Sequence, residues 1–195
     1  MKRIGIDVDG VLTDFIGAFR LYLIGRTERA WSDYAAPQTW DFYAEWGLTK
    51  EQWEQHMHDF TYSPEFEAMR PQPGAVAGMR RLREMGHHLT IVTARGCDNR
   101  SSRRSQRLTC DWLAEFDVPY DDLVFTAEKE FLALDILLDD RVSHLFAAES
   151  SLITAVCFDA PYNRHWEGER VSDFAEFVRR VALGAYDAWE REPLA

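Results

Sequence analysis

The chain has little cysteine, little positive charge and no long apolar run, and each shortage removes a class of protein. The three cysteines, Cys97, Cys110 and Cys157, are odd in number and lack metal-ligand spacing, which excludes a disulfide scaffold and a zinc site and points to reduced thiols. No segment is apolar for long enough to cross a bilayer, and the N-terminus lacks the apolar core of a signal peptide. A cytoplasmic protein with no membrane partner is expected. Lys and Arg number 22 against 33 Asp and Glu, and the formal net charge of −11 excludes a general binder of nucleic acid polymers. Any anionic substrate must therefore meet a local positive group or a metal.

What is present begins with Arg3–Asp14. An apolar run, Ile4-Gly5-Ile6, ends in two alternate carboxylates, Asp7 and Asp9, followed by Gly10. Such a run reads as a buried parallel strand, with the carboxylates at the end where open α/β sheets place ligands. Two carboxylates there repel unless a cation or a shared proton offsets them, so the pattern asks for a metal. At 195 residues, 46% of them hydrophobic, the chain suits one domain with a modest insertion.

Phe15–Ile24 has helical spacing, closed by Gly25. Residues 31–69 are crowded with aromatics and show no strand, and Thr49-Lys50-Glu51-Gln52 has the form of a capping box for a helix through Trp53 and Met57. Residues 15–70 read as a small helical cap, inserted after the first strand into a core of residues 1–14 and 71–195. Pro71-Gln72-Pro73-Gly74 is the return, and a helix is predicted over Ala75–Met85. Further strands are predicted at His88–Arg95, Leu123–Thr126, Ala133–Arg141 and Leu152–Phe158, with helices at Leu108–Phe116, Val142–Ala148 and Val171–Trp189. Five apolar strands alternating with helices give an α/β fold with a doubly wound parallel sheet. Between them, Arg95, Arg100, Arg103, Arg104 and Arg107 make the most basic stretch of an acidic chain, with Ser101, Ser102 and Ser105 interleaved.

Four strand ends carry polar groups: Asp7/Asp9, Thr93, Lys129 and Asp139/Asp140. Their order and residue types resemble the four motifs of the haloacid-dehalogenase-like phosphohydrolases. The resemblance implies Asp7 as nucleophile, forming an aspartyl-phosphate, and Asp9 as general acid and base. Phosphoryl transfer needs charge neutralised on the non-bridging oxygens, which suits the Thr93 hydroxyl and the Lys129 ammonium. Mg²⁺ suits an all-oxygen site of few carboxylates, with Asp7, Asp9, Asp139 and Asp140 as candidates. The family pattern implies a backbone carbonyl from Asp9, a direct ligand in Asp140, and Asp139 paired to Lys129; the residues alone do not choose between Asp139 and Asp140.

Within that superfamily, 86 residues separate Asp7 from Thr93, room for an inserted cap. Asp7-Val-Asp-Gly-Val-Leu-Thr-Asp-Phe15, Met69-Arg-Pro-Gln-Pro-Gly-Ala75, Ile91-Val-Thr-Ala94, Val124-Phe-Thr-Ala-Glu-Lys129 and Leu137-Leu-Asp-Asp-Arg141 resemble the 5′(3′)-deoxyribonucleotidases, the type C nucleotidases. The resemblance implies a nucleoside monophosphate substrate whose base stacks on cap aromatics, by position Phe15, Trp40 or Phe42, and Phe66. Ala94 and Arg95 depart from the Ser-Pro of mammalian members, and they stand with Arg107 as candidate substrate contacts. A phosphatase for another small ester such as a sugar phosphate, a catalytically idle nucleotide-binding protein and a homodimer stay open.

Overall fold

The computed structural model describes residues 1–97 and 102–187. Arg100 and Ser101 of the basic stretch, and the Trp189 end of the expected terminal helix, lie outside them. The strands are β1 (Arg3–Ile6), β2 (His88–Thr93), β3 (Asp122–Phe125), β4 (Ile136–Asp139), β5 (Thr154–Phe158) and β6 (Arg170–Val171). They form one sheet in the order β3-β2-β1-β4-β5-β6, and every neighbouring pair is parallel. The sheet therefore has six strands where five are predicted. Two residues are too short to carry periodicity, so β6 has no signal in the sequence.

The helices are α1 (Phe15–Ile24), α2 (Lys50–Phe60), α3 (Pro64–Glu67), α4 (Ala75–Glu84), α5 (Ser102–Glu115), α6 (Val142–Ser150) and α7 (Phe174–Ala182). Helix α5 begins six residues before the predicted Leu108, within the basic stretch. Helix α7 starts later than predicted because Asp173 caps it, accepting from Glu176 N at 2.8 Å. The sheet is buried on both faces. Ile4, Ile6, Ile136 and Leu138 pack under α4, α5 and α7, whereas Leu137, Ala155 and Cys157 face α6. That two-sided burial is why the strands read as continuous apolar runs rather than alternating ones. Gly5 lacks a side chain because a Cβ there would come within 2.5 Å of Leu134 Cδ1.

Residues 15–70 carry α1–α3 and a hydrophobic core of their own, built on Phe19, Tyr22, Tyr34, Trp46, Phe60 and Phe66. Asp14 caps α1, and Thr49 caps α2 through the predicted box, each bond to or from Gln52 being 2.9–3.2 Å. The chain leaves and returns at one place. Thr13 bridges Pro71 in antiparallel fashion, Asp14 N donates to Arg70 O and Gln72 N to Leu12 O. The rings pack edge to face around Phe60, which touches Phe15, Phe19, Tyr22 and Phe66 at centroid separations of 5.1–5.6 Å. Phe60→Ala should therefore cost about 3–5 kcal/mol, a cavity plus the lost transfer energy. Urea unfolding should show the midpoint fall with the slope unchanged.

Candidate active site

Parallel pairing brings the carboxyl ends of the strands to one edge, and the polar residues converge there. Asp7 follows β1, Thr93 ends β2, Asp139 ends β4 with Asp140 next, and Lys129 opens the 3₁₀ turn Lys129–Phe131 beyond β3. Lys129 has no exposed surface. Its Nζ lies 2.6 Å from Asp139 Oδ2 and 2.8 Å from Asp7 Oδ1. Asp139 is further held by the backbone N–H of Arg141, which donates to its Oδ1 at 2.8 Å, and by His144 Nδ1, 3.1 Å from its Oδ2. Both Asp139 oxygens are thus occupied within the protein.

Asp140 differs. The Tyr162 hydroxyl donates to its Oδ2, and Asn163 Nδ2 donates to its backbone carbonyl at 2.9 Å. Gly10, at φ +79°, passes so close that a Cβ would fall 2.0 Å from Asp140 Oδ2, a position open only to glycine.

Burial governs the electrostatics. It raises the Asp7 carboxyl to about 6 against the pull of Lys129, with Asp139 and Asp9 adding to the rise. Burial, then the charges of Asp139 and Asp7, lift Asp140 well above the carboxylate range. Asp139 is equally buried, yet Lys129 and His144 more than offset this and hold it at about 2. Burial alone would lower the Lys129 ammonium, but Asp139 and Asp7 keep it above the ordinary lysine value. One ammonium faces three buried carboxylates, whose oxygens approach within 4.8 Å of one another across Asp7, Asp139 and Asp140. An all-oxygen donor set with surplus negative charge fits a hard divalent cation.

Above this cluster opens a cavity of about 350 Å³, the size of a small-molecule site. Asp7, Asp9, Thr93, Ala94, Arg95 and Asp140 line its floor, and Phe15, Trp40, Phe42 and Phe66 line its walls from residues 15–70. Phe42 and Phe66 are almost wholly buried, so each offers an edge to the cavity and packs otherwise into the aromatic core. Trp40 is more exposed and sits between Arg141, 4.9 Å from its ring centroid, and the Tyr162 ring at 5.6 Å.

The arginines of the basic stretch separate. Arg95 turns inward to Asp9, Nε to Oδ2 at 2.9 Å and Nη2 to Oδ1 at 2.5 Å. Arg104 reaches across to Thr61 O at 2.9 Å and pairs with Glu67. Arg107 does not line the cavity; it is exposed and pairs with Asp111 along α5 at 2.8 Å. Tyr162, Asn163 and His144 had no motif to announce them. The polar loop 159–164 after a predicted strand was the available signal for the first two.

This fold, with carboxylates, a hydroxyl and a buried lysine at the carboxyl edge of a parallel sheet, defines a phosphohydrolase of the haloacid-dehalogenase-like superfamily. Solved structures agree on the fold: a predicted phosphatase from Clostridium acetobutylicum superposes with a TM-score of 0.61 at 16% identity, covering 93% of this chain and 98% of that one. A predicted phosphoglycolate phosphatase from Haemophilus somnus 129pt gives the same score, identity and coverage, 0.61, 16%, 93% and 98%. Residues 1–185 match the family described as 5′ nucleotidase, deoxy (pyrimidine), cytosolic type C protein, and the chain belongs to that family. A Chlorobaculum tepidum protein provisionally named 5′(3′)-deoxyribonucleotidase is 29% identical over 175 residues, 89% of this chain and 86% of that protein. The chain is thus a hydrolase of phosphoric monoesters. Among the described residues no helix is long and apolar enough to cross a membrane.

The raised Asp7 carboxyl makes cation binding a competition with a proton. Below about pH 6 Asp7 holds the proton, and above it the carboxylate is ionised beside Lys129. The rise in melting temperature on adding Mg²⁺ should therefore be large at about pH 7.5 and shrink towards about pH 5, since a ligand stabilises by its occupancy. An increment that does not change with pH would place the cation elsewhere.

Proposed function

We propose that this chain is a Mg²⁺-dependent phosphatase acting in the cytoplasm on nucleoside monophosphates, deoxyribonucleotides among them, through an aspartyl-phosphate. The observation that carries this reading is a cavity with a phosphoryl-handling floor and aromatic walls, in a chain of the type C nucleotidase family. Residues 15–70 then act as the cap. A planar base against the half-buried ring of Phe15 and the exposed ring of Trp40 is a specificity device worth roughly 1–3 kcal/mol per stacked base.

A carboxylate oxygen of Asp7 attacks phosphorus as the ester P–O bond breaks, and the leaving oxygen takes a proton from Asp9. Water then attacks the phosphorus of the aspartyl-phosphate, Asp9 takes its proton, and inorganic phosphate departs with the Asp7 carboxylate restored. Splitting the displacement this way replaces one difficult step by two easier ones. Lys129 steadies the Asp7 carboxylate and offsets phosphoryl charge, and Thr93 offers its hydroxyl to a non-bridging oxygen. Asp7 and Asp140, with the backbone carbonyl of Asp9, would hold Mg²⁺; Asp139 is engaged by Lys129 and His144 and orients them. When bound, the cation supplies Lewis-acid neutralisation of the phosphoryl oxygens.

A panel of monophosphate esters assayed by phosphate release tests the substrate class: nucleoside monophosphates should be turned over far faster than sugar phosphates. Equal turnover of the two would sink the nucleotide reading. Asp9→Asn should lower kcat/KM for a nucleoside monophosphate by ~10²–10⁴, the usual worth of a general acid, with phosphate affinity by titration calorimetry retained. Asp7→Asn should abolish the radiolabelled phosphoprotein trapped by acid quench.

A further inference from the structure

Asp9 does not stand alone in the cavity floor. Its carboxylate is gripped by Arg95, whose side chain is 4% exposed against 31% for Asp9. The guanidinium makes the two-point contact that matches a carboxylate in plane, Nε to Oδ2 at 2.9 Å and Nη2 to Oδ1 at 2.5 Å. Arg95 is itself fixed from three sides. Nη1 donates to Thr109 Oγ1 of α5 at 3.2 Å, and Nη2 to Thr13 Oγ1 at 3.4 Å. From the cap, Met69 Sδ lies 3.7 Å from Nη2 and the Phe66 ring centroid 4.9 Å from Cζ. Thr109 is held in turn, its hydroxyl donating to Ser105 O at 2.8 Å.

We propose that Arg95 is the positioning residue for proton delivery: it fixes the Asp9 carboxylate for the leaving oxygen, from an anchorage shared by the core and the cap. The proposal rests on Asp9 being the general acid of the reaction given above. The fork engages both oxygens of Asp9, the Thr13 hydroxyl reaches Oδ1 at 3.4 Å, and Asp9 lines the cavity. The ion pair is that of the Asp9 carboxylate, the form in which Asp9 takes the proton of the attacking water. For the first step Asp9 must enter protonated, and as that proton passes to the leaving oxygen the carboxylate regains the charge that the guanidinium faces. The contact therefore strengthens in the transition state, where binding energy raises the rate. A lysine at position 95 would keep the charge but could neither grip both oxygens in plane nor lie flat on Phe66.

The test is the dependence of kcat/KM on the leaving group, because a good leaving group departs without an acid and a poor one does not. Purified full-length protein and its Asp9→Asn, Arg95→Gln and Arg95→Lys variants, with the Asp9→Asn/Arg95→Gln double variant, are assayed on p-nitrophenyl phosphate and on a nucleoside monophosphate. Arg95→Gln should lose on the order of 10²-fold on the nucleotide, as expected where an acid is misplaced, and only a few-fold on p-nitrophenyl phosphate. Arg95→Lys should show the same selective loss, and Arg95→Gln should add nothing in the Asp9→Asn background, the mark of two residues acting as one unit.

Equal losses on both substrates, or losses that multiply in the double variant, would overturn the proposal, since a merely structural arginine lowers the active fraction alike for every ester. If Asp9→Asn discriminates between leaving groups and the Arg95 variants do not, the positioning role falls and the acid assignment stands. If Asp9→Asn does not discriminate either, both fall together.

Discussion

One ammonium holds this site together. Lys129 is buried without exposed surface between Asp7 and Asp139, and an unpaired charge in that position would be untenable. The dependence is mutual. Asp139 stays ionised at about 2 because Lys129 and His144 face it, whereas Asp7, with a share of the same ammonium, rises to about 6. The neighbouring carboxylates thus differ in their partners: Asp139 has both Lys129 and His144, Asp7 has Lys129, and Asp140 takes the Tyr162 hydroxyl instead of a cation. Replacing one partner would strand the rest, which is how buried ion networks fail. Fold and chemistry meet here, because strand pairing is what brings the turn after β3 beside the ends of β1 and β4.

Much of this could be read from the residues. Continuous apolar runs marked β1, β2, β4 and β5 because their sheet is covered on both faces, and the polar residues at the ends of β1, β2 and β4 and just beyond β3 marked the edge where the site lies. Thr49 and Gln52 announced α2 through local chemistry that needs no tertiary context. Lys129 was legible from its place just beyond the predicted strand Leu123–Thr126, in the order of the four motifs.

What escaped was nonlocal or very short. Strand β6 is two residues long and exists because β5 offers it an edge. Tyr162 and Asn163 reach Asp140 from a turn 22 and 23 residues away, and no spacing rule links them. Arg95, Arg104 and Arg107 looked alike in sequence, yet their neighbours in the fold separate them. Arg95 precedes α5 and points inward, Arg104 faces the cap, and Arg107 faces solvent. Arg95 and Arg107 stood in the sequence as candidate substrate contacts; the fold instead places Arg95 on a carboxylate, Arg104 on Thr61 and Glu67, and Arg107 on Asp111 at the surface.

That distribution ties residues 15–70 to the floor of the cavity. The chain enters and leaves the cap through Thr13 and Pro71, and Thr13 also bridges Asp9 in the short loop after β1. Arg95 closes a second link, from Asp9 through its guanidinium to Phe66 and Met69 of the cap. Trp40 closes a third, resting against Arg141 and Tyr162, the latter bonded to Asp140. Each link ends on one of the residues that the chemistry would use, and each begins on the segment that walls the cavity. Any displacement of residues 15–70 relative to the sheet would therefore change the surroundings of Asp9 and Asp140. The aromatic walls of the cavity and the carboxylate of Asp9 are in this way bound into one packed unit, since well-packed side chains shift together or not at all.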